Sequence, residues 1–162
     1  HSPEHACLYC PALHLVIAGD QILPRITPNV SVFPTEPDGN PLEAWLASST
    51  RLLGMLPDDL LVLPAHQSPF KGVRVRLNQI IDSHRLALAN LYDLLMEPKL
   101  LPECFSCLFG REIGGGEIQM ATGETVAHLN YLWHRGNIQR RINADDRYEY
   151  QSDPEARYVD AE

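Results

Sequence analysis

The stretch His14-Leu15-Val16-Ile17-Ala18-Gly19-Asp20 decides how the first part of this chain is read. Its apolar residues run without interruption, as in a strand buried on both faces, and stop at a Gly-Asp pair. Just before it, Ala6-Cys7-Leu8-Tyr9-Cys10 is a second apolar run, separated by Pro11-Ala12-Leu13, so the two read as neighbouring strands. Further on, Leu60 to Leu63 makes another short buried strand, which leads directly into Pro64-Ala65-His66. Between these strands lies the clearest helix. Asn40 suits the N-cap, Pro41 the first helical position, and Glu43 stands three residues after the cap. Leu42, Trp45, Leu46, Leu52 and Leu53 mark one face at helical spacing, and Leu56-Pro57-Asp58-Asp59 ends it. The order strand, strand, helix, strand indicates an α/β layer packing. Residues 21–40 carry four prolines and read as a structured loop, with a short strand from Val30 to Phe33.

Beyond a loop at 67–73, Val75, Leu77, Ile80, Ile81, His84, Leu86 and Leu88 begin a long helix that reaches about Met96. Pro98 and Pro102 then punctuate the chain, which places a domain boundary there. A helix near 103–110, a glycine loop at 114–116 and a helix from about 119 to 134 follow, with Gly136 as a suitable C-cap. Ile138 to Ile142 and Tyr148 to Tyr150 flank the polar turn Asn143-Ala144-Asp145-Asp146 and form a hairpin. Helix, helix, hairpin is winged-helix order. The expected organisation is therefore a first domain over 1–97, a winged-helix-like domain over 98–151, and a disordered polar tail over 152–162.

With 162 residues, 44% of them hydrophobic and 21% charged, the chain can bury a true core. A formal charge of −8 works against broad electrostatic binding to nucleic acid, though a local basic patch is compatible with it. No apolar run approaches the roughly 20 residues needed to span a bilayer. The cysteines form two C-x-x-C pairs, Cys7/Cys10 and Cys104/Cys107. The fillers Leu8-Tyr9 and Phe105-Ser106 lack the small, turn-forming residues of a zinc knuckle, so all four read as free thiols. Reduced thiols suit a cytoplasmic setting. The chain opens on His rather than Met, in the middle of a motif, and reads as a piece of a longer protein.

Three side chains able to bind a metal follow buried strands or open loops: His1 in His1-Ser2-Pro3-Glu4-His5, Asp20, and His66. Strand ends are where functional groups converge in layered α/β folds. Imidazole and carboxylate together can hold a divalent ion and leave a position open for water. Each has an ordinary reading as well. His66 suits a solvated loop, Asp20 a turn after glycine, and His1 and His5 a flexible terminus.

Taken together in this order, His1 to His5, Gly19-Asp20 and Pro64-Ala65-His66 resemble the middle and closing motifs of the metallo-β-lactamase superfamily. Gly19 to Pro28, Gly-Asp-Gln-Ile-Leu-Pro-Arg-Ile-Thr-Pro, is especially similar to bacterial hydrolases of its glyoxalase II-like, lactamase-β-like-2 branch. His84-Arg85-Leu86, Leu108 to Arg111 and Gly123 to Leu129 resemble the winged-helix segment appended in that branch. The resemblance implies the C-terminal half of an αββα sandwich followed by a small winged-helix-like domain. It implies two divalent ions, zinc with iron or manganese as alternatives. His1 would bind one, His66 the other, and Asp20 would bridge them, with His5 behind the ligands. The implied reaction is hydrolysis by an activated water at an acyl carbonyl or a phosphodiester phosphorus. Arg25, in the loop after Asp20, is the candidate for touching substrate.

The superfamily's H-x-H-x-D-H motif is absent from these residues. They are therefore expected to need the N-terminal half of the same fold as a partner and to be inactive alone. Acidic composition favours a small acyl substrate over RNA. Two rival readings compete with the hydrolase. The first is a nucleic-acid-binding or dimerising winged helix, with Arg135, Arg140, Arg141 and Arg147 as the basic candidates. The second is a scaffold that has lost catalysis.

Overall fold

A computed structural model describes residues 5–156 and 158. The chain divides into two compact units, one made of residues 1–29 and 44–83, the other of residues 30–43 and 84–162. Pro98 and Pro102 thus lie within the second unit.

The first unit holds strands β1 (Leu8–Cys10), β2 (Leu15–Gly19) and β3 (Leu61–Pro64) in the order β1-β2-β3. A single 3-10 turn at Pro11–Leu13 joins β1 to β2, and the pair is antiparallel. β2 and β3 are parallel, and the chain between them carries helix α1 (Pro41–Met55). Parallel neighbours need such a crossover, because a tight turn cannot return the chain to the same end of the sheet. At the start of α1 the Glu43 amide donates to Asn40 Oδ1 at 3.4 Å, in line with the expected N-cap. Helix α2 (Val73–Leu94) follows β3.

One face of this sheet is packed. Val16, Ala18 and Val62 join Ile22, Leu56, Leu60, Val73, Leu77 and Ile80 in the core, with Trp45, Leu52, Leu53 and Phe70 against it. The opposite face is open, which corrects the reading of β2 as buried on both sides. The register aligns Leu8, Ile17 and Leu63 across the three strands. Of these Leu8 is 62% exposed and Ile17 47%, and Leu61 on the same face is 36% exposed. The apolar run is continuous because both faces are apolar, although only one is covered among the described residues.

The second unit contains β4 (Lys99–Leu100), α3 (Phe105–Phe109), α4 (Ile118–His134), β5 (Ile138–Ile142) and β6 (Tyr148–Ser152). The sheet order is β4-β6-β5, all antiparallel. Asn143 shapes the β5–β6 turn, its Oδ1 accepting from the amides of Asp145 and Arg147. Leu88, Leu91, Leu95, Phe105, Leu129, Leu132, Ile138 and Tyr150 are buried here.

Residues 30–43 form no strand, contrary to the expectation for Val30 to Phe33. They lie along α4 instead. The Val32 amide donates to Gly123 O at 3.0 Å, and Asn130 Nδ2 donates to the carbonyls of Pro37 and Gly39. His134 Nε2 donates to Asp38 O at 2.8 Å. Gly123 is what lets the segment approach, since a Cβ there would stand 2.9 Å from Ser31 Cβ and 3.1 Å from Val32 O.

The tail expected from Ser152 onward is anchored through Ala156. Ser152 completes β6, its amide donates to Leu95 O, and Tyr92 Oη donates to the carbonyls of Asp153 and Ala156. A polar composition concealed this, because the segment is held by backbone carbonyls and not by apolar side chains.

His84 and His128 are a buried pair. His128 Nδ1 lies 2.8 Å from Glu124 O, which can only accept, so Nδ1 carries the proton and Nε2 accepts. His84 Nδ1, 3.2 Å from that Nε2, is then the donor. Burial, with His128 beside it, pushes His84 down to about 3, and burial also lowers His128. Both rings stay neutral in the folded chain while the unfolded chain protonates them below about 6.5. Stability should therefore be full above about 6.5 and fall as pH drops, His84 alone contributing on the order of 1 kcal/mol per pH unit down toward about 3, with His128 acting in the same direction. Urea unfolding at pH 7 and pH 4 should show a smaller acid loss in a His84→Leu/His128→Leu double variant than in the parent. Equal losses would refute the assignment.

Gly123→Ala sets helix propensity against steric room. Alanine is favoured in a helix interior by about 1 kcal/mol, but crowding Ser31 and Val32 costs roughly 1–3 kcal/mol. Thermal melting should show a net loss of about 1 kcal/mol, and a raised Tm would contradict the close approach.

Candidate functional site

Because β2 and β3 are parallel, their C-terminal ends share one edge of the sheet, and the residues that follow them meet there. Asp20 directly follows β2, and His66 lies just past β3. The Ala65 amide donates to Gly19 O at 2.9 Å and ties the two ends together. His66 Nε2 stands 3.4 Å from Asp20 Oδ1. The Asp20 side chain is 20% exposed and that of His66 61%, so the pair is rooted in the protein and open on one side.

Gly19 adopts a left-handed φ of +53°, and the Gln21 amide closes a turn onto Ala18 O at 3.0 Å. A Cβ at Gly19 would fall on the His5 ring. His5 Nε2 donates to Ala18 O at 3.0 Å, so His5 braces the strand end that carries Asp20. His1 lies outside the described residues. Arg25 is exposed in the loop after Asp20.

Several polar groups that the sequence reading passed over hold this loop. Gln21 is buried, and its Nε2 donates to Ser48 Oγ and Ser49 Oγ at 3.1 and 3.0 Å. A signal for it existed: Ser49 falls on the apolar stripe of α1, a place where a serine needs a buried partner. Arg76 on α2 donates from Nε to Leu23 O at 2.6 Å and from Nη2 to Ile26 O at 2.8 Å. Nothing local in the sequence marks Arg76, since its acceptors are separated from it by 53 and 50 positions.

Two ligands on one divalent ion, each bonded at about 2.0–2.2 Å at a near-tetrahedral angle, stand about 3.4 Å apart. The Asp20–His66 spacing fits that, and the nitrogen and oxygen donors suit zinc, iron or manganese. An ordinary carboxylate–imidazole contact has the same spacing. Among the described residues no group of three or more His, Cys, Asp or Glu side chains is gathered as a metal centre. All four cysteines are free thiols, and burial foremost raises Cys104 to about 12, which keeps it protonated.

The basic candidates are engaged elsewhere. Arg135 pairs with Glu43, Arg140 with Asp38, Arg141 with Glu149 and Arg147 with Asp145, at 2.8 to 3.0 Å. Arg140 is also stacked on Trp133 and Tyr148, and its side chain is only 13% exposed. Helix α4, which would be the recognition helix of a winged helix, is largely buried, with Gly123, Asn130 and His134 occupied by residues 30–43. These arginines close the second unit on itself.

Residues 88–153 match the family described as metallo-beta-lactamase-like, C-terminal domain. A solved beta-lactamase domain protein from Burkholderia ambifaria is 38% identical, with a TM-score of 0.89 over 94% of this chain and 45% of its own. A metallo-beta-lactamase family protein from Thermus thermophilus is 30% identical, with a TM-score of 0.77 over 92% of this chain and 45% of its own. No curated protein matches. The chain belongs to the metallo-β-lactamase superfamily and spans about half the length of these two structures. No helix among the described residues is long and apolar enough to cross a membrane.

With Arg135, Arg140, Arg141 and Arg147 paired, the chain should give no gel shift with duplex DNA or RNA at low salt. A salt-sensitive shift would restore the nucleic-acid reading.

Proposed function

We propose that these residues form part of a metal-dependent hydrolase and supply one side of its metal site. The observation that carries this is the convergence of Asp20 and His66 at the shared edge of two parallel strands, in a chain of this superfamily. Asp20 and His66 would hold a divalent ion, zinc with iron or manganese as alternatives, and His1 would add a further ligand. Such an ion supplies hydroxide at neutral pH by lowering the pKa of its water from about 15.7 toward about 7. The residues of this chain do the positioning. Gly19 and His5 set the end of β2, and the Gly19–Ala65 hydrogen bond fixes β3 beside it.

The remaining ligands would come from the N-terminal half of the same fold. The open apolar face of Leu8, Ile17 and Leu61 supports this, since it is the kind of surface a second sheet covers in a sandwich. A small acyl substrate, an ester or thioester, is favoured over RNA. The net charge of −8 and the pairing of Arg135, Arg140, Arg141 and Arg147 both leave little to meet a phosphate backbone. Arg25 would meet the substrate. The helix, helix, hairpin order agrees with a winged helix, here in a packing role.

The test uses these residues together with the N-terminal half of the fold, loaded with zinc, iron or manganese and assayed on thioester, lactone and RNA substrates. Asp20→Asn and His66→Ala should each reduce bound metal and lower kcat/KM by on the order of a hundredfold or more, as loss of several kcal/mol of metal assistance requires. Unchanged metal content in both variants would sink the hydrolase reading.

A further inference from the structure

We propose that Arg76 is a positioning residue for the Asp20 side of the site, acting through the loop that follows Asp20. This rests on the metal reading above. Residues 21–28 contain Pro24 and Pro28 and form neither helix nor strand, so their carbonyls lack regular partners. Arg76 supplies them. Its Nε and Nη2, side by side on one edge of the guanidinium, donate to Leu23 O at 2.6 Å and Ile26 O at 2.8 Å. Its remaining Nη1 donates to Gln79 Oε1 at 3.4 Å, one turn along α2. All three acceptors are uncharged oxygens, so the group serves here as a rigid two-pronged donor and not as half of an ion pair.

The clamp has a matching anchor on the other side. Leu23 and Ile22 are buried, and Gln21 reaches Ser48 and Ser49 of α1. Asp20 is therefore followed by three residues fixed in the core and then by a loop fixed to α2. With the Ala18–Gln21 turn, the carboxylate is left few ways to swing from His66. A planar fork can hold two carbonyls three residues apart at once, whereas a lysine presents a single mobile point.

The experiment compares Arg76→Lys, Arg76→Met and Asp20→Asn in the full chain. Zn²⁺ affinity is measured by competition with a chelator, and Tm is measured with and without Zn²⁺. Arg76→Lys keeps the charge and most of the stem, so it provides a folded variant if Arg76→Met does not. Both Arg76 variants should weaken Zn²⁺ binding by roughly 10- to 100-fold, the usual range for groups that orient ligands. They should also shrink the gain in Tm on adding Zn²⁺. A purely structural role would lower both Tm values equally and leave Zn²⁺ affinity intact, and that result overturns the inference. If Asp20→Asn loses Zn²⁺ affinity while both Arg76 variants keep it, this inference fails alone. If Asp20→Asn keeps it, the metal reading fails and takes this inference with it.

Discussion

Parallel pairing of β2 with β3 is the constraint on which the candidate site depends. An antiparallel pair would send Asp20 and His66 to opposite ends of the sheet. The parallel pair brings them to one edge, and the irregularity between Ile17 and Gly19 turns the last residue of β2 toward Pro64. The core enforces that register. Val16, Ala18 and Val62 must all face the packed side, and a slip of one residue would exchange them for Leu15, Ile17 and Leu61. Site geometry and hydrophobic burial are thus the same requirement met once.

Much of the fold was legible because its signals are local. The cap at Asn40, the proline at 41, the helical stripe of α1 and the Gly136 stop each act within a turn of the chain. Asp20 and His66 draw attention for a related reason: Asp20 closes the run that ends at Gly19, and His66 stands two residues past β3. What escaped depends on partners far away in sequence. The strand expected at Val30 to Phe33 is an apolar segment that found α4 before it found a sheet. The covering of β2 was misjudged because an apolar run reports what a strand can bury, not what is present to bury it. Residues 152–156 looked frayed because side chains were weighed, whereas Tyr92 binds their carbonyls.

Similar motifs can also be similar for structural reasons. His84 and the stretch from Gly123 to His128 contributed to the family resemblance, and they prove to be packing elements. His84 and His128 hydrogen-bond to each other in the interior, and Gly123 admits a crossing segment. The arginines near the hairpin, which suggest a basic patch when counted along the sequence, each face a carboxylate in three dimensions. Counting charge without partners overstated what the surface offers to a polyanion.

The attachment of residues 30–43 to α4 has a consequence for how the chain matures. Its side-chain contacts join positions 91 to 102 apart in sequence. During synthesis at about 5–20 residues per second, this segment would wait on the order of 5–20 s for α4 to be made. The second unit is therefore discontinuous in time as well as in sequence, and residues 30–43 stay without their hydrogen-bond partners on α4 for that interval.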